Sequence, residues 1–591
     1  MKSLKNVLYV IVAASLLVAA CTPAAAPTAT APAQPAAPTQ APQQPAAPAP
    51  TATPIPLPTP EPTTDPNKVV PGGTIIVGTP QEPTTLSPLL ASSSIDDAIQ
   101  SFVFEGLVEV DADGKYAAVL AEDLPAVSDD GLVVTYKLKK DVKFSNGDPL
   151  TCADVQYTKD AIASELSQAS TSGYRDIDKI ECPDPNTVVV TFASVYAPYL
   201  RLFSYIIPKA AGDLAKLDTW EFNRMPIGTG PWVLTEWKAG DSLTFAKNPN
   251  YREAGKPYLD GLIVKIVPSR EVGLQLLGTG EVHALWDLIE SDFPQLAALK
   301  DKGVTYAAAV TGENELLVVN LADPKVDAPA DPAANPHPIL SDLKVRQALQ
   351  MGIDKQTIVD SLLFGNVKIG TTVLPVGQFA CPQPPSKYDP KGAADLLESA
   401  GWTAGLDGIR EKDGVRLTLK IATTSGNKLR EDAEQALVEQ LKAVGIELTI
   451  ENVPSDVLFG SWDSDGPRKH GRFDLLLYTT GPGIDPDSHL FSNYHSASIP
   501  TKDNEGAGSN YSRYINQDVD QLIDDAAGLA DVKARQAMYC KVAAQINQDL
   551  PRIYLYERLL ITGVRDNVRN FRVSPGPADF TTGSANWWIS K

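Results

Sequence analysis

From about residue 70 the chain alternates between two apolar rhythms. Thr74-Ile75-Ile76-Val77 is a short β-branched run between glycines, which predicts a buried strand. Val134, Tyr136 and Leu138 alternate with Thr135, Lys137 and Lys139, the pattern of a half-exposed strand, and Ser145-Asn146-Gly147-Asp148 then makes a turn. Beyond residue 389 the rhythm becomes α/β. Asp389-Pro390 starts a helix whose apolar face is Ala393, Leu396, Leu397 and Ala400, and Gly401 ends it. Leu417, Leu419 and Ile421 predict a strand. A helix through Leu429, Ala433, Leu437, Val438 and Leu441 stops at Gly445, and Ile446, Leu448 and Ile450 form the next strand. Strand, helix, strand with short joins implies two parallel strands with a right-handed crossover. Phe473 to Tyr478 predicts a further strand, followed by a Gly- and Pro-rich loop, Thr479 to Asn493. Open α/β sheets bind ligands at such carboxyl ends.

The first 66 residues follow neither rhythm. Lys2 and Lys5 precede an apolar run, Val7 to Ala20, closing as Val18-Ala19-Ala20-Cys21. This is a secretory signal, too short to span a bilayer. A Cys at the cut site resembles the lipobox of bacterial lipoproteins, which implies cleavage after residue 20, acylation of Cys21 and an extracytoplasmic, membrane-tethered protein. Stable anchoring takes more than one acyl chain. Residues 22–66 hold 15 Pro, and their only charges are Glu61 and Asp65. Such a segment cannot bury a core, so 21–68 is expected to be a disordered linker reaching roughly 140 Å at most.

The remaining 525 or so residues exceed one core and predict two or more lobes. The net charge of −21 argues against nucleic acid and anionic-membrane surfaces, both of which need clustered Lys and Arg. Four cysteines follow Cys21: Cys152, Cys182, Cys381 and Cys540. In an oxidising compartment they allow three pairings, or stay as buried thiols; none has the CxxC spacing of a zinc site.

Several segments are more specific than periodicity. They are Gly72–Thr79 (GGTIIVGT) with Leu86-Ser87-Pro88, Phe104-Glu105-Gly106-Leu107, and Lys143–Thr151 (KFSNGDPLT). Pro226–Trp232 (PIGTGPW), Asn248-Pro249-Asn250-Tyr251 and Asp342–Leu349 (DLKVRQAL) follow. Together they resemble the family 5 extracellular solute-binding proteins, the oligopeptide- and dipeptide-binding components of ABC importers. The resemblance implies an α/β, two-lobed periplasmic-binding-protein-like fold, of type II and the large class with an inserted subdomain. Mapped onto this chain, lobe I is 69–313 plus 556–591 with the insert near 108–218, and lobe II is 314–555. That organisation favours the disulfide pairs 152–182 and 381–540. It also implies a monomer that encloses a peptide or other solute, closes by a hinge and docks on the permease subunits of an importer.

One departure bears on the ligand. Peptide binders of this family carry Gly-Trp and then an Asp just after the strand matching Phe473–Tyr478, and that Asp pairs with the peptide's α-ammonium. Here the stretch reads Tyr478-Thr479-Thr480-Gly481-Pro482-Gly483-Ile484-Asp485. Asp485 or Asp487 would have to substitute. An oligosaccharide or another small solute is therefore the alternative ligand.

By resemblance, Trp462 and Arg468 match a pocket-lining Trp and Arg, and Trp286 and Asp287 lie where lobe I meets the cleft. Gln81, Glu82 and Thr85 follow the first strand and are placed to reach it; Asn493 and Tyr494 are candidate donors. Each competes with a plain packing role. Asp485, Asp487, His489 and His495 alone combine metal-ligand residue types, and Asp485, Asp487 and His489 share a face if extended; chance clustering is the simpler reading, so no metal or cofactor is assigned. His283, His337 and His470 read as surface or packing residues. Neither GxSxG nor HExxH is present, which leaves a secreted hydrolase or a receptor-linked sensor as lower readings.

Overall fold

The computed structural model describes residues 69–590 except 92, 330, 461, 463, 577 and 578. The signal (1–20), Cys21 and the linker (21–68) lie outside the described residues. No helix among the described residues is long and apolar enough to cross a membrane.

Ten strands share one sheet. In chain order they are β1 (Thr74–Thr79), β2 (Trp232–Lys238), β3 (Ser242–Lys247), β4 (Gly261–Ile266) and β5 (Ala284–Leu288). Then come β6 (Val304–Val319), β7 (Thr418–Ala422), β8 (Glu447–Ile450), β9 (Leu475–Thr480) and β10 (Arg552–Arg565). Their order across the sheet is β8-β7-β9-β6-β10-β5-β1-β4-β3-β2. The central pair, β6 and β10, holds 16 and 14 residues and runs antiparallel from Val304–Arg565 to Val318–Arg552. Its register shifts between Val310 and Asn314 and again at Glu315–Leu316.

Segment 108–218 contains a separate four-stranded sheet ordered Ala126–Val127, Val133–Lys137, Thr187–Phe192, Ile177–Asp184, with helix α1 (Cys152–Ile162) beside it. Val134 and Tyr136 are buried on it, as the alternation predicts. Further helices are α2 (Lys355–Leu362), α3 (Pro390–Ser399), α4 (Lys428–Lys442), α5 (Asp487–Tyr494) and α6 (Val532–Asp549). Asp389 caps α3 through the Gly392 amide, and Pro390 occupies its first turn. β7, α4 and β8 form the expected βαβ unit, with Thr418–Ile421 parallel to Glu447–Ile450.

The expected loop over Thr479–Asn493 is corrected. β9 continues to Thr480, and Asp487–Tyr494 is helical. Pro486 precedes the helix, Asp487 places a carboxylate in its positive first turn, and Leu490 and Tyr494 bury one face four residues apart.

Burial on both faces explains the continuous apolar runs of the central strands. Leu317, Val319, Leu475, Leu477, Ile553 and Leu555 enter the core on one face. Leu316, Val318, Leu476, Tyr478 and Tyr554 enter the other, against α6. In the first lobe the ring of Phe102 meets Phe245, Phe580 and Trp587 at 5.6–6.0 Å.

Cys152 is bonded to Cys182 and Cys381 to Cys540, across separations of 30 and 159 residues. In the chain-entropy model these cross-links contribute about 4 and about 5 kcal/mol by restricting the unfolded chain. The double variant Cys381→Ser/Cys540→Ser is therefore expected to lose more stability in denaturant unfolding than Cys152→Ser/Cys182→Ser. Equal midpoints for the two would reject the bridge across 159 residues as the stronger constraint.

Candidate functional site

Where β9 ends, the chain turns sharply against β6. A Cβ on Gly481 would meet Glu313 Cα at 2.6 Å, so only glycine allows this approach, and Gly483 takes a positive φ of 63°. The turn and the start of α5 form one wall of an open cavity of about 390 Å³, lined by Gly481–Ile484, Ser488, His489 and Ser492. Arg201, from segment 108–218, forms the facing wall.

Behind this wall Asp485 is fully committed. Both its oxygens accept from Arg535 of α6, at 2.8 and 2.9 Å, with both side chains no more than 2% exposed. Arg535 also donates to the Ala197 carbonyl of segment 108–218 at 3.1 Å, and to Tyr539 Oη at 3.0 Å. Tyr539 in turn donates to Asp487 at 2.9 Å. Burial opposes the charge on Arg535, but Asp485 beside it holds the guanidinium above its ordinary range. Burial likewise raises Asp487, although Tyr539 partly offsets it. Asp485 is thus not available as the countercharge of a bound ammonium, whereas Asp487 is half-buried and accepts from Tyr539 through one oxygen.

A second network of charges lies at the middle of β6 and β10. Glu290, wholly buried, accepts from Arg558 at 2.8 and 3.0 Å. Arg558 reaches Glu315 at 3.3 Å and the Thr479 hydroxyl at 2.8 Å. Arg430 of α4 closes the chain on Glu315 at 2.8 Å. Burial opposes the charge on Arg558, and Glu290 and Glu315 overcome it.

The sequence candidates separate on this geometry. Trp462 is half-buried, stacks on His470 at 4.0 Å and packs closely against Gly506, and it does not line the cavity. Arg468 lies against Phe459 and Tyr511 at 4.6 and 4.5 Å, packed among rings rather than in the cavity. Tyr494 is buried with its hydroxyl on Tyr554, and Asn493 accepts from Arg552 at 2.7 Å; both belong to the core. Trp286 is also a core residue, its indole N–H donating to Asp579 at 2.6 Å. Asp287 is half-buried at φ 64°, and burial raises its pKa. Glu82 accepts from the Trp237 indole and the Gly240 amide, both at 2.9 Å, which ties it to the β2–β3 hairpin. Thr85 bonds the Asn223 carbonyl and the Ser87 amide, while Gln81 is exposed.

The extended alternation of Asp485, Asp487 and His489 is broken by the start of α5. His489 is buried, held near pKa 3 by that burial and by Arg552, and bonded to Asn493. His495 reaches Asp524 at 3.4 Å instead. Among the described residues no group of three or more His, Cys, Asp or Glu is arranged to hold a metal. His337 and His470 sit on Asp474 and Asp327, each at 3.0 Å.

Sequence reading missed Arg201, Arg535, Glu290, Glu315 and Arg558. Arg535 and Tyr539 stand four apart on one helix and were legible as a pair; their aspartate partners, about 50 residues upstream, were not. Removing one member of a buried ion pair leaves its partner uncompensated, at a cost of about 3–5 kcal/mol. Asp485→Asn should lose that much in denaturant unfolding, and a loss below about 1 kcal/mol would show that Arg535 does not need this carboxylate.

Comparison with known proteins agrees with this architecture. Residues 115–501 match the family model described as bacterial extracellular solute-binding proteins, family 5 Middle. Protein XP55 of Streptomyces lividans is 30% identical over 491 residues, covering 81% of this chain and 83% of that protein. The oligopeptide-binding protein AppA of Bacillus subtilis is 27% identical over 545 residues, 88% of this chain and 92% of AppA. AppA solved with a nonapeptide superimposes with TM-score 0.61, over 89% of this chain and all of that one. NikZ of Campylobacter jejuni, solved with Ni(L-His), is 26% identical and gives TM-score 0.65, over 87% and 99% of the two chains. A two-lobed α/β body with a cavity where its central strand ends, matched over most of its length, makes this chain a member of the family 5 bacterial extracellular solute-binding proteins.

Proposed function

We propose that this protein captures a peptide or peptide-like solute between its lobes and delivers it to the permease of an ABC importer. Lobe I is assigned to 69–313 with 556–591, and lobe II to 314–555, so both crossings fall within β6 and β10. AppA, among the relatives, is an oligopeptide-binding protein, and the role proposed for this chain is capture without catalysis. Acylation at Cys21 would tether it outside the cytoplasm, where it works as a monomer.

The observation that carries the reading is the cavity between Arg201 and the strand-end turn. Its two walls come from different lobes, so closure completes it. Closure traps ligand only to the extent that the closed state binds it better. The network Glu290–Arg558–Glu315–Arg430 lies where the lobes join, and holds the paired strands through that movement.

The chemistry of the walls narrows the solute. A peptide bound through a free amino terminus needs a carboxylate here, but Asp485 is paired with Arg535 and Asp487 accepts from Tyr539. Arg201 instead offers a donor to a carboxylate or carbonyl. An oligosaccharide, rich in acceptor oxygens, is the second reading that this wall supports.

Thermal-shift screening of the full chain tests the assignment, since a ligand at 100 times its dissociation constant adds about 2.7 kcal/mol. Peptides with free and acetylated amino termini should stabilise equally. A strict requirement for the free ammonium would overturn the reading of the cavity, and stabilisation by sugars alone would replace the peptide assignment. Arg201→Ala should weaken the ligand so found by about 1.5–3 kcal/mol in calorimetry, the range for hydrogen bonds to charged groups. Unchanged affinity in the folded variant would remove Arg201 from the site.

A further inference from the structure

A second cavity, of about 320 Å³, lies wholly within the second lobe and shares no lining residue with the first. It sits between the start of α2, the segment 383–386 and the C-terminal turns of α6. Lys355 and Arg552 both line it, and its lining contains no Asp or Glu. Neutral donors complete it, among them Gln350, Thr371, Ser386 and Asn547.

Both cations are buried without a countercharge. Lys355 is 6% exposed, and its recorded hydrogen bond is a long one, 3.4 Å, to the Gly370 carbonyl. Burial alone depresses its ammonium to about pKa 8. Arg552 is wholly buried; one nitrogen donates to Asn493, the Tyr494 ring lies 4.8 Å away, and Nε and Nη1 have no partner among the described residues. Among the described residues neither side chain has an acidic partner within ion-pair distance. The equally buried Arg535 is paired with Asp485, and the buried Arg346 and Arg513 each donate to two or more backbone carbonyls, whereas Arg552 has neither kind of partner for its Nε and Nη1 among the described residues.

An isolated buried cation is costly, and one that faces a cavity is relieved by an anion that enters it. Guanidinium and ammonium groups make their strongest hydrogen bonds to oxyanions. The volume admits a compact ion or a short organic acid. We propose that this cavity is a second ligand site, for a small oxyanion held by Lys355 and Arg552, independent of the solute cleft.

The test is calorimetric titration of the full chain with inorganic phosphate, sulfate and succinate at constant ionic strength, with chloride as control. Saturable binding of at least one oxyanion is expected, weakened tenfold or more in Lys355→Met and retained in Lys355→Arg. Phosphate or sulfate binding without succinate would mark a tetrahedral ion; succinate binding would mark a carboxylate. No saturable binding by any of the three, or binding that Lys355→Met leaves unchanged, overturns the proposal. Should Lys355→Met fail to fold, amine acetylation of the unmodified chain, read peptide by peptide by mass spectrometry, replaces it. The effective oxyanion is then expected to protect Lys355, and unaltered labelling overturns the site. Because the two cavities share no residue, failure here leaves the solute cleft standing, and the reverse holds.

Discussion

The pairing of β6 with β10 is the constraint on which the rest of the molecule depends. These two strands alone belong to both halves of the ten-stranded sheet, with β5 flanking one side and β9 the other. An unbroken antiparallel ladder would make the junction stiff, yet this one is interrupted at Val310–Asn314 and at Glu315–Leu316. Such irregularities bend a strand and increase its local twist. Beside them lie Glu315, on β6, and Arg558, on β10, so charges supply directed contacts where the ladder is irregular. Glu290 and Arg430 extend the contact into either lobe. A junction held by hydrogen-bonded charges keeps its pairing while the ladder beside it bends.

The second buried ion pair has a different job. Asp485 fixes the turn after β9 to α6, and Arg535 passes the contact on to Ala197 in the opposing segment. One guanidinium thus joins the turn, the helix and the facing lobe.

Much of the fold was legible in local pattern. The βαβ unit, the caps at Asp389 and Gly401, and the alternation at Val134 and Tyr136 are set by contacts within a few residues of one another. The helix Asp487–Tyr494 was missed because Gly481, Pro482, Gly483 and Pro486 make the whole stretch read as loop, although the glycines serve only the turn before it. The site was less legible. Trp462, Tyr494 and Trp286 have residue types suited to ligands, but large rings and buried hydroxyls fill cores equally well, and the deciding contacts are His470, Tyr554 and Asp579. Arg201 carries no pattern at all: its importance arises from a wall 280 residues away in the chain.

The strand-end departure, read in the sequence as a missing aspartate, is better understood as a change in the sign of the site. Asp485 is present close to the expected place, but Arg535 has taken both its oxygens, and Asp487 is held by Tyr539. Arg201 and His489 line the cavity in their place. A site that offers a donor and withholds its carboxylates discriminates by leaving the wrong group unpaired, and a buried ammonium without a partner is heavily penalised. The same framework, with its carboxylates engaged from behind, therefore turns toward acceptor-bearing ends of its solute without any change in the sheet that positions them.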